Sequence, residues 1–228
     1  MKILAVDTAT QSCSVAVVDK DSLLAEMTLV SSQTHSIHLM EMIETVIADS
    51  GLTVSDLDGF AATRGPGSFT GLRIGISSVK GLAAASGKPL VGVSTLDALA
   101  YQFSWSSFLI CPFLDARKGE VYFSRCRFEN GMLKQKIEEQ VSIPANAVEG
   151  IDEPCVFVGE GALTYKEVII DKMGELAKFA LPAQNSIKAL NVGLLAMERF
   201  EKNDTESVAD FVPKYIRKSD AELKILRN

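Results

Sequence analysis

The hydrophobic pattern of this chain starts over partway along, and that restart restricts the fold more than any single motif. Apolar runs at 2–6 (KILAV), 13–18 (CSVAVV) and 22–30 (SLLAEMTLV), with the polar turn DKD before the third, predict a three-strand meander. Helical spacing follows over 36–50 and stops at Gly51. A strand at 59–63 then leads through a glycine-rich loop into a helix over 69–86 that Gly87 ends, and PLVGV supplies another strand before a short helix at 95–103. After that the strands resume, at 107–114, 120–128 and 131–143, with one more at 154–159 and helices over 162–174 and 185–203. Three strands and then helices, read twice, predict an α/β chain of two related lobes: an N-terminal lobe over 1–103 and a smaller C-terminal lobe over 104–228.

Composition narrows the partners. At 228 residues and 47% hydrophobic content the chain can bury one large core or two small ones. No apolar run approaches the roughly 20 residues a bilayer span needs. The first strand turns polar at Asp7, too early for a signal peptide, so the expected location is the cytoplasm with no membrane contact. Cys13, Cys111, Cys126 and Cys155 are scattered through apolar stretches and read as reduced, buried thiols. A net charge of −6 argues against a chain that grips nucleic acid unaided, because that affinity comes mostly from neutralised phosphates.

Two stretches carry candidate chemistry. In AVDTAT, Asp7 ends a strand and the hydroxyls of Thr8, Thr10 and Ser12 follow, a set that can ring a phosphate, an ion or a water and that equally satisfies the backbone of a sharp turn. In RGPGSFTG, Gly65, Gly67 and Gly71 bracket a loop, and Ser68 or Thr70 can cap the following helix so that its positive end faces an anion. The lysine of a Walker loop is missing, and glycines at a strand-to-helix turn also serve close packing. The candidate nucleotide contacts are Asp7, Thr8, Ser12, Gly65, Gly67 and Ser68. Asp115, Arg117 and Glu120 in DARKGEVY read either as a polar contact to a nucleotide or partner, or as a salt-bridged turn. The basic tail with Lys214, Arg217, Lys218, Lys224 and Arg227 either touches RNA held by a partner or is solvated.

The two long helices pose a packing question. Leu39, Met42, Ile43 and Val46 on the first, with Gly71, Leu72, Gly75, Ile76 and Val79 on the second, cover a wider arc than the roughly 100° stripe that docks on one sheet. The surplus predicts a partner interface, with Gly71-xxx-Gly75 admitting a facing helix, unless other elements of the same chain cover both sides. His35 and His38, three apart with no third ligand nearby, read as solvated or interface residues, and neither a metal site nor a catalytic residue is assigned.

DTAT after the first strand, RGPGSFTGLRIGISSVKGLA, GVSTLDALA, LDARKGEVY and PKYIRKSDAE together resemble the bacterial TsaB family, also called YeaZ, over nearly the whole chain. The resemblance implies a two-lobed actin-like ATPase (ribonuclease H-like) fold, each lobe a mixed sheet with flanking helices and the second lobe reduced. It implies a non-catalytic role in threonylcarbamoyl transfer to adenosine 37 of tRNAs reading codons that begin with A. The partners implied are the catalytic relative TsaD in a heterodimer, the ATPase TsaE, and an identical subunit when the chain is alone; tRNA is engaged only through the complex. No intrinsic cofactor is implied, with ATP or ADP expected at the partner interface. Catalytic relatives carry an H-x-x-x-H pair where this sequence has Thr95 and Leu99, and a late Asp-Asn-Ala-Ala segment, whereas none of Asp171, Asp204, Asp210 or Asp220 precedes an Asn here. That departure speaks against metal chemistry and against a metalloprotease. The competing expectation is an autonomous ATPase or small-molecule kinase built on Asp7 and the glycine loop.

Overall fold

The structure, a computed structural model, describes residues 1–20, 22–31 and 34–217. Lys218, Lys224 and Arg227 of the basic tail lie outside the described residues. The meander expected at the start is present as β1 (Lys2–Asp7), β2 (Ser12–Asp19) and β3 (Ser22–Val30), paired antiparallel. β4 (Gly59–Thr63) and β5 (Leu90–Val93) add parallel to β1, giving a five-stranded sheet in the order β3-β2-β1-β4-β5. Parallel neighbours need crossovers, and α1 (His35–Asp49) and α2 (Phe69–Ser86) supply them. Ser68 caps α2 by accepting a bond from the Gly71 amide at 3.2 Å, and Gly87 ends it in the left-handed conformation at φ 67°. The short α3 (Thr95–Tyr101) then leads into the second sheet.

That sheet is built on β6 (Leu109–Arg117), flanked by β7 (Glu120–Phe123), β8 (Cys126–Glu129), β9 (Met132–Lys136) and β10 (Gln140–Ser142). Phe123 sits opposite Phe113 and Cys126 opposite Ile110, so β7 and β8 follow one register along β6 and the expected strand over 120–128 is bent once between them. The expected strand over 131–143 is likewise interrupted between β9 and β10. After the single turn α4 (Pro144–Ala147), β11 (Cys155–Val158) pairs parallel with β6. The helix expected over 162–174 is two, α5 (Glu160–Thr164) and α6 (Lys166–Met173), and β12 (Ala177–Phe179) follows on the sheet edge. Three residues are too few to show alternation, which is why β12 is invisible in the sequence.

β6 serves two cores. Ile110 and Leu114 pack with the first sheet and α3, while Cys111 and Phe113 point the other way, toward Phe157, Ile169 and Met173. Phe113 and Phe157 meet edge to face at 5.2 Å. All four cysteines are buried free thiols, and burial pushes Cys13 up to about 12 and Cys126 to about 11.

The last helix, α7 (Ala189–Glu201), follows the second sheet in the chain and packs on β1, β2 and β5 of the first. Gly193 permits that approach, since a Cβ there would lie 2.7 Å from Val18 Cγ2. With α2 and α7 both on β1, Ile3, Leu4, Ala5 and Val6 are fully buried. The chain then returns to the open edge of β5, where Glu206 forms an antiparallel bridge to Leu90 and its carboxylate accepts from the Gly92 amide (2.9 Å) and from Arg64 (2.8 Å).

The helix surplus read from the sequence is largely internal. Leu39, Met42, Ile43, Val46, Leu72, Ile76 and Val79 are each at most 3% exposed, and Gly71 and Gly75 are buried too. All nine expected interface residues therefore sit in the chain's own core, where each large side chain contributes about 1.5–3 kcal/mol. The large apolar side chains that the two helices show to solvent are Ile37 (61%), Met40 (45%) and Phe69 (43%).

Candidate functional site: a cleft between the two sheets

The candidate nucleotide residues gather where β1 and β4 end. Asp7 is fully buried: its Oδ1 accepts from Thr63 Oγ1 at 2.7 Å and from the Ala9 amide at 3.2 Å, while its Oδ2 has no protein partner. Burial raises this carboxyl from 3.8 to about 7, with the two hydrogen bonds opposing the shift and Glu160 adding slightly to it. Thr8 donates from Oγ1 to the Gly71 carbonyl (2.8 Å), and Ser12 shares a 2.9 Å bond with Thr10.

The glycines explain themselves once α2 is in place. A Cβ on Gly71 would stand 2.0 Å from the Thr8 carbonyl oxygen, one on Gly75 2.3 Å from Thr8 Oγ1, and one on Gly67 2.5 Å from the Ala9 carbonyl oxygen. The Ser68 amide donates to Ala9 O at 2.7 Å. These glycines let the first two turns of α2 lie directly on the β1–β2 loop. The Gly71-xxx-Gly75 pair therefore faces Thr8 of the same chain, which corrects its reading as a groove for a partner helix. Gly65 is held at φ 123° with the Lys214 carbonyl oxygen 2.5 Å from its notional Cβ.

Above this layer lies a cleft of about 310 Å³. One wall is Ala9, Thr10, Gln11, Gly67, Ser68 and Phe69; the other is Leu114, Asp115, Ala116, Arg117 and Tyr122 from the second sheet, with Glu160 at the start of α5. Of the six expected contacts, Gly67 and Ser68 line the cleft, and Asp7, Thr8, Ser12 and Gly65 are buried. The second wall is set by a tight hairpin in which Arg117 (φ 63°), Lys118 (φ 58°) and Gly119 (φ 78°) are all left-handed. Asp115 organises it, accepting from the Arg117 amide (2.9 Å) and the Tyr165 hydroxyl (3.2 Å) and pairing with the Arg117 guanidinium at 3.3 Å. Burial, aided by Asp115, raises the Glu160 carboxyl. The sequence singled out this hairpin but not Glu160, although a strand running into Gly159, held at φ 106°, signals a close approach there.

The other expectations resolve individually. Thr95 and Leu99 are fully buried, and among the described residues no three His, Cys, Asp or Glu side chains come together to hold a metal ion. His35 Nε2 lies 2.7 Å from the Thr10 carbonyl, tying α1 to the β1–β2 loop. No helix among the described residues is long and apolar enough to cross a membrane.

Two mixed sheets with flanking helices and a cleft between them define an actin-like two-lobed α/β protein, and the likeness to solved structures agrees: a hexokinase of the ROK group from Thermus thermophilus superposes at a TM-score of 0.50 with 13% identity, over 89% of this chain and all of that one, which speaks to the fold alone. YeaZ from Pseudomonas aeruginosa superposes at 0.81 with 27% identity, over 94% of this chain and 99% of that one. The family model for TsaD, tRNA N6-adenosine threonylcarbamoyltransferase, matches residues 26–225. The tRNA threonylcarbamoyladenosine biosynthesis protein TsaB of Bacillus subtilis is 31% identical over 98% of this chain and 97% of its own length. The protein of the same name from Escherichia coli is 32% identical over 99% and 98%. The chain belongs to the TsaB (YeaZ) family of tRNA threonylcarbamoyladenosine biosynthesis proteins.

Proposed function

We propose that the protein is a non-catalytic subunit that supports threonylcarbamoyl transfer to adenosine 37 of tRNAs reading codons that begin with A, by pairing with the catalytic subunit TsaD. The cleft is the observation that carries this reading. Its glycines are packed against Thr8 and Ala9, its one lining guanidinium is tied to Asp115, and Glu160 adds a second carboxyl, so a phosphate chain would meet acid and closed backbone where a kinase offers a cation. Docking falls to the exposed part of the α1/α2 face, Ile37, Met40 and Phe69, beside a groove of about 460 Å³ lined by His35, Thr70 and Ile74 among others. On this reading ATP or ADP sits at the seam with the partner, TsaE joins the same complex in the cytoplasm, tRNA is held by the complex, and the lone chain pairs with itself.

The test is gel filtration of the chain with and without TsaD in ATP, alongside the tRNA modification assay. Ile37→Glu with Met40→Glu, both on exposed positions, leaves the fold intact and abolishes co-elution and modification together. The alternative, an autonomous ATPase or small-molecule kinase, is favoured by the unpartnered Oδ2 of Asp7, buried two residues before Ala9 of the cleft wall. Turnover of ATP by the purified chain alone that Asp7→Ala removes establishes the alternative and ends the scaffold reading.

A further inference from the structure

The segment that follows α7 crosses from one wall of the cleft to the other. It begins on the first sheet, where the Glu206 amide donates to Leu90 O at 2.8 Å and Phe211 is fully buried beside Gly92, its carbonyl accepting from Lys80 Nζ at 3.0 Å. The Lys214 amide donates to Arg64 O at 2.6 Å. Tyr215 then stacks on Phe69, ring centroids 5.2 Å apart and planes 23° from parallel, while its hydroxyl accepts from Arg73 Nε at 3.2 Å and the Arg73 guanidinium lies over the Phe69 ring, 3.7 Å from its centroid. Two residues on, Arg217 donates to Glu120 Oε2 (2.9 Å) and to the Ala116 carbonyl (3.3 Å). Phe69 belongs to the first wall; Ala116 belongs to the second.

We propose that residues 206–217 form a latch that fixes the separation of the two sheets at the cleft mouth, and that it opens by releasing Tyr215 from Phe69 and Arg217 from the β6–β7 hairpin. Anchoring is graded along the segment. Glu206 and Phe211 are locked into the first sheet, whereas Tyr215 is 42% exposed and the Arg217–Glu120 pair has side-chain exposures of 23% and 33%. A stacked aromatic pair and a part-exposed ion pair are each weak contacts, so the free end releases while the fixed end stays folded. Two-lobed proteins that close on ligands move about a hinge, and here the apolar core shared by β6, α3 and the first sheet supplies the hinge side while the latch holds the mouth. Because Phe69 and Arg73 are both latch contacts and exposed features of α2, whatever covers them competes with Tyr215 and changes the cleft opening. The latch itself does not depend on which molecule does so.

The experiment is a distance measurement in the full chain between spin labels on Glu44→Cys of α1 and Lys172→Cys of α6, the native thiols being buried. The parent gives one narrow distribution. Tyr215→Ala with Arg217→Ala broadens it about twofold toward longer distances at unchanged far-ultraviolet circular dichroism, as release of a restraint at a hinge requires. Glu120→Gln, which removes the ion pair from the hairpin side, gives the same broadening in part, and Arg217→Lys restores the narrow distribution. Superimposable distributions in parent and double variant overturn the latch. Broadening by Val212→Ala, at a side chain 55% exposed, equal to that of the double variant overturns it as well.

Discussion

The two walls of the cleft are made of different material. Directly behind the first, Asp7 and Thr8 are at most 2% exposed, their contacts run to Thr63 and Gly71, and Gly71 and Gly75 of α2 have no room for a methyl group. On the second, the Arg117 side chain is 79% exposed on a hairpin of left-handed residues, paired with Asp115. The layer behind the first wall is part of the folding core, and its chemistry is coupled to stability. On the second, the Arg117 charge lies at the surface and can change with little effect on the fold. A site whose two halves differ in this way responds to mutation asymmetrically.

The sharpest probe of that asymmetry is pH. The folded Asp7 carboxyl titrates near 7 against 3.8 for the ordinary group, so between those values the native state holds a proton that the unfolded chain has released. Stability therefore falls as pH rises through this window, by up to about 4 kcal/mol at 1.36 kcal/mol per unit. Asp7→Asn removes the decline; urea midpoints at pH 5 and pH 8 that move equally in parent and variant would falsify the buried-acid account. Glu160→Gln, on the part-buried second wall, acts in the same direction and less.

The next largest effect is steric. Gly71→Ala drives a methyl group into the Thr8 carbonyl and lowers stability by about 3 kcal/mol, read as a drop in Tm, despite the better helix propensity of alanine. Gly81→Ala, in the same helix with nothing within 4 Å of the new Cβ, raises stability by about 0.5–1 kcal/mol. If both substitutions stabilise, the packing role of Gly71 is wrong. The smallest effect belongs to the hairpin: Arg117→Gly trades an exposed ion pair for relief at φ 63° and shifts the unfolding free energy by no more than about 0.5 kcal/mol in denaturant melts.

The same contrast marks how far the sequence could be read. Period and punctuation located β1 to β5, α1 and α2, because each is long enough to show its repeat and is closed by a glycine or a polar turn. Periodicity also showed that α1 and α2 are apolar over a wide arc, but not what covers them. Gly71 and Gly75 meet Thr8, more than sixty residues earlier in the chain by the spacing of their hydrogen bond, and α7 returns to the first sheet from the far end. Such contacts leave no local signature, so glycines that receive a loop look the same as glycines that receive a partner. DARKGEVY was legible as a charged hairpin; its neighbour Glu160 was not, because a single acid after a strand carries no period.

One consequence follows from Glu206. By laying its backbone along Leu90 and its carboxylate on the Gly92 amide, it terminates the five-stranded sheet at β5, where an uncapped strand would present free donors and acceptors to any extended peptide. Growth of the sheet by addition of a foreign strand is blocked on that border, which protects the protein from ribbon-like aggregation there and leaves recognition to side chains on its helical flank.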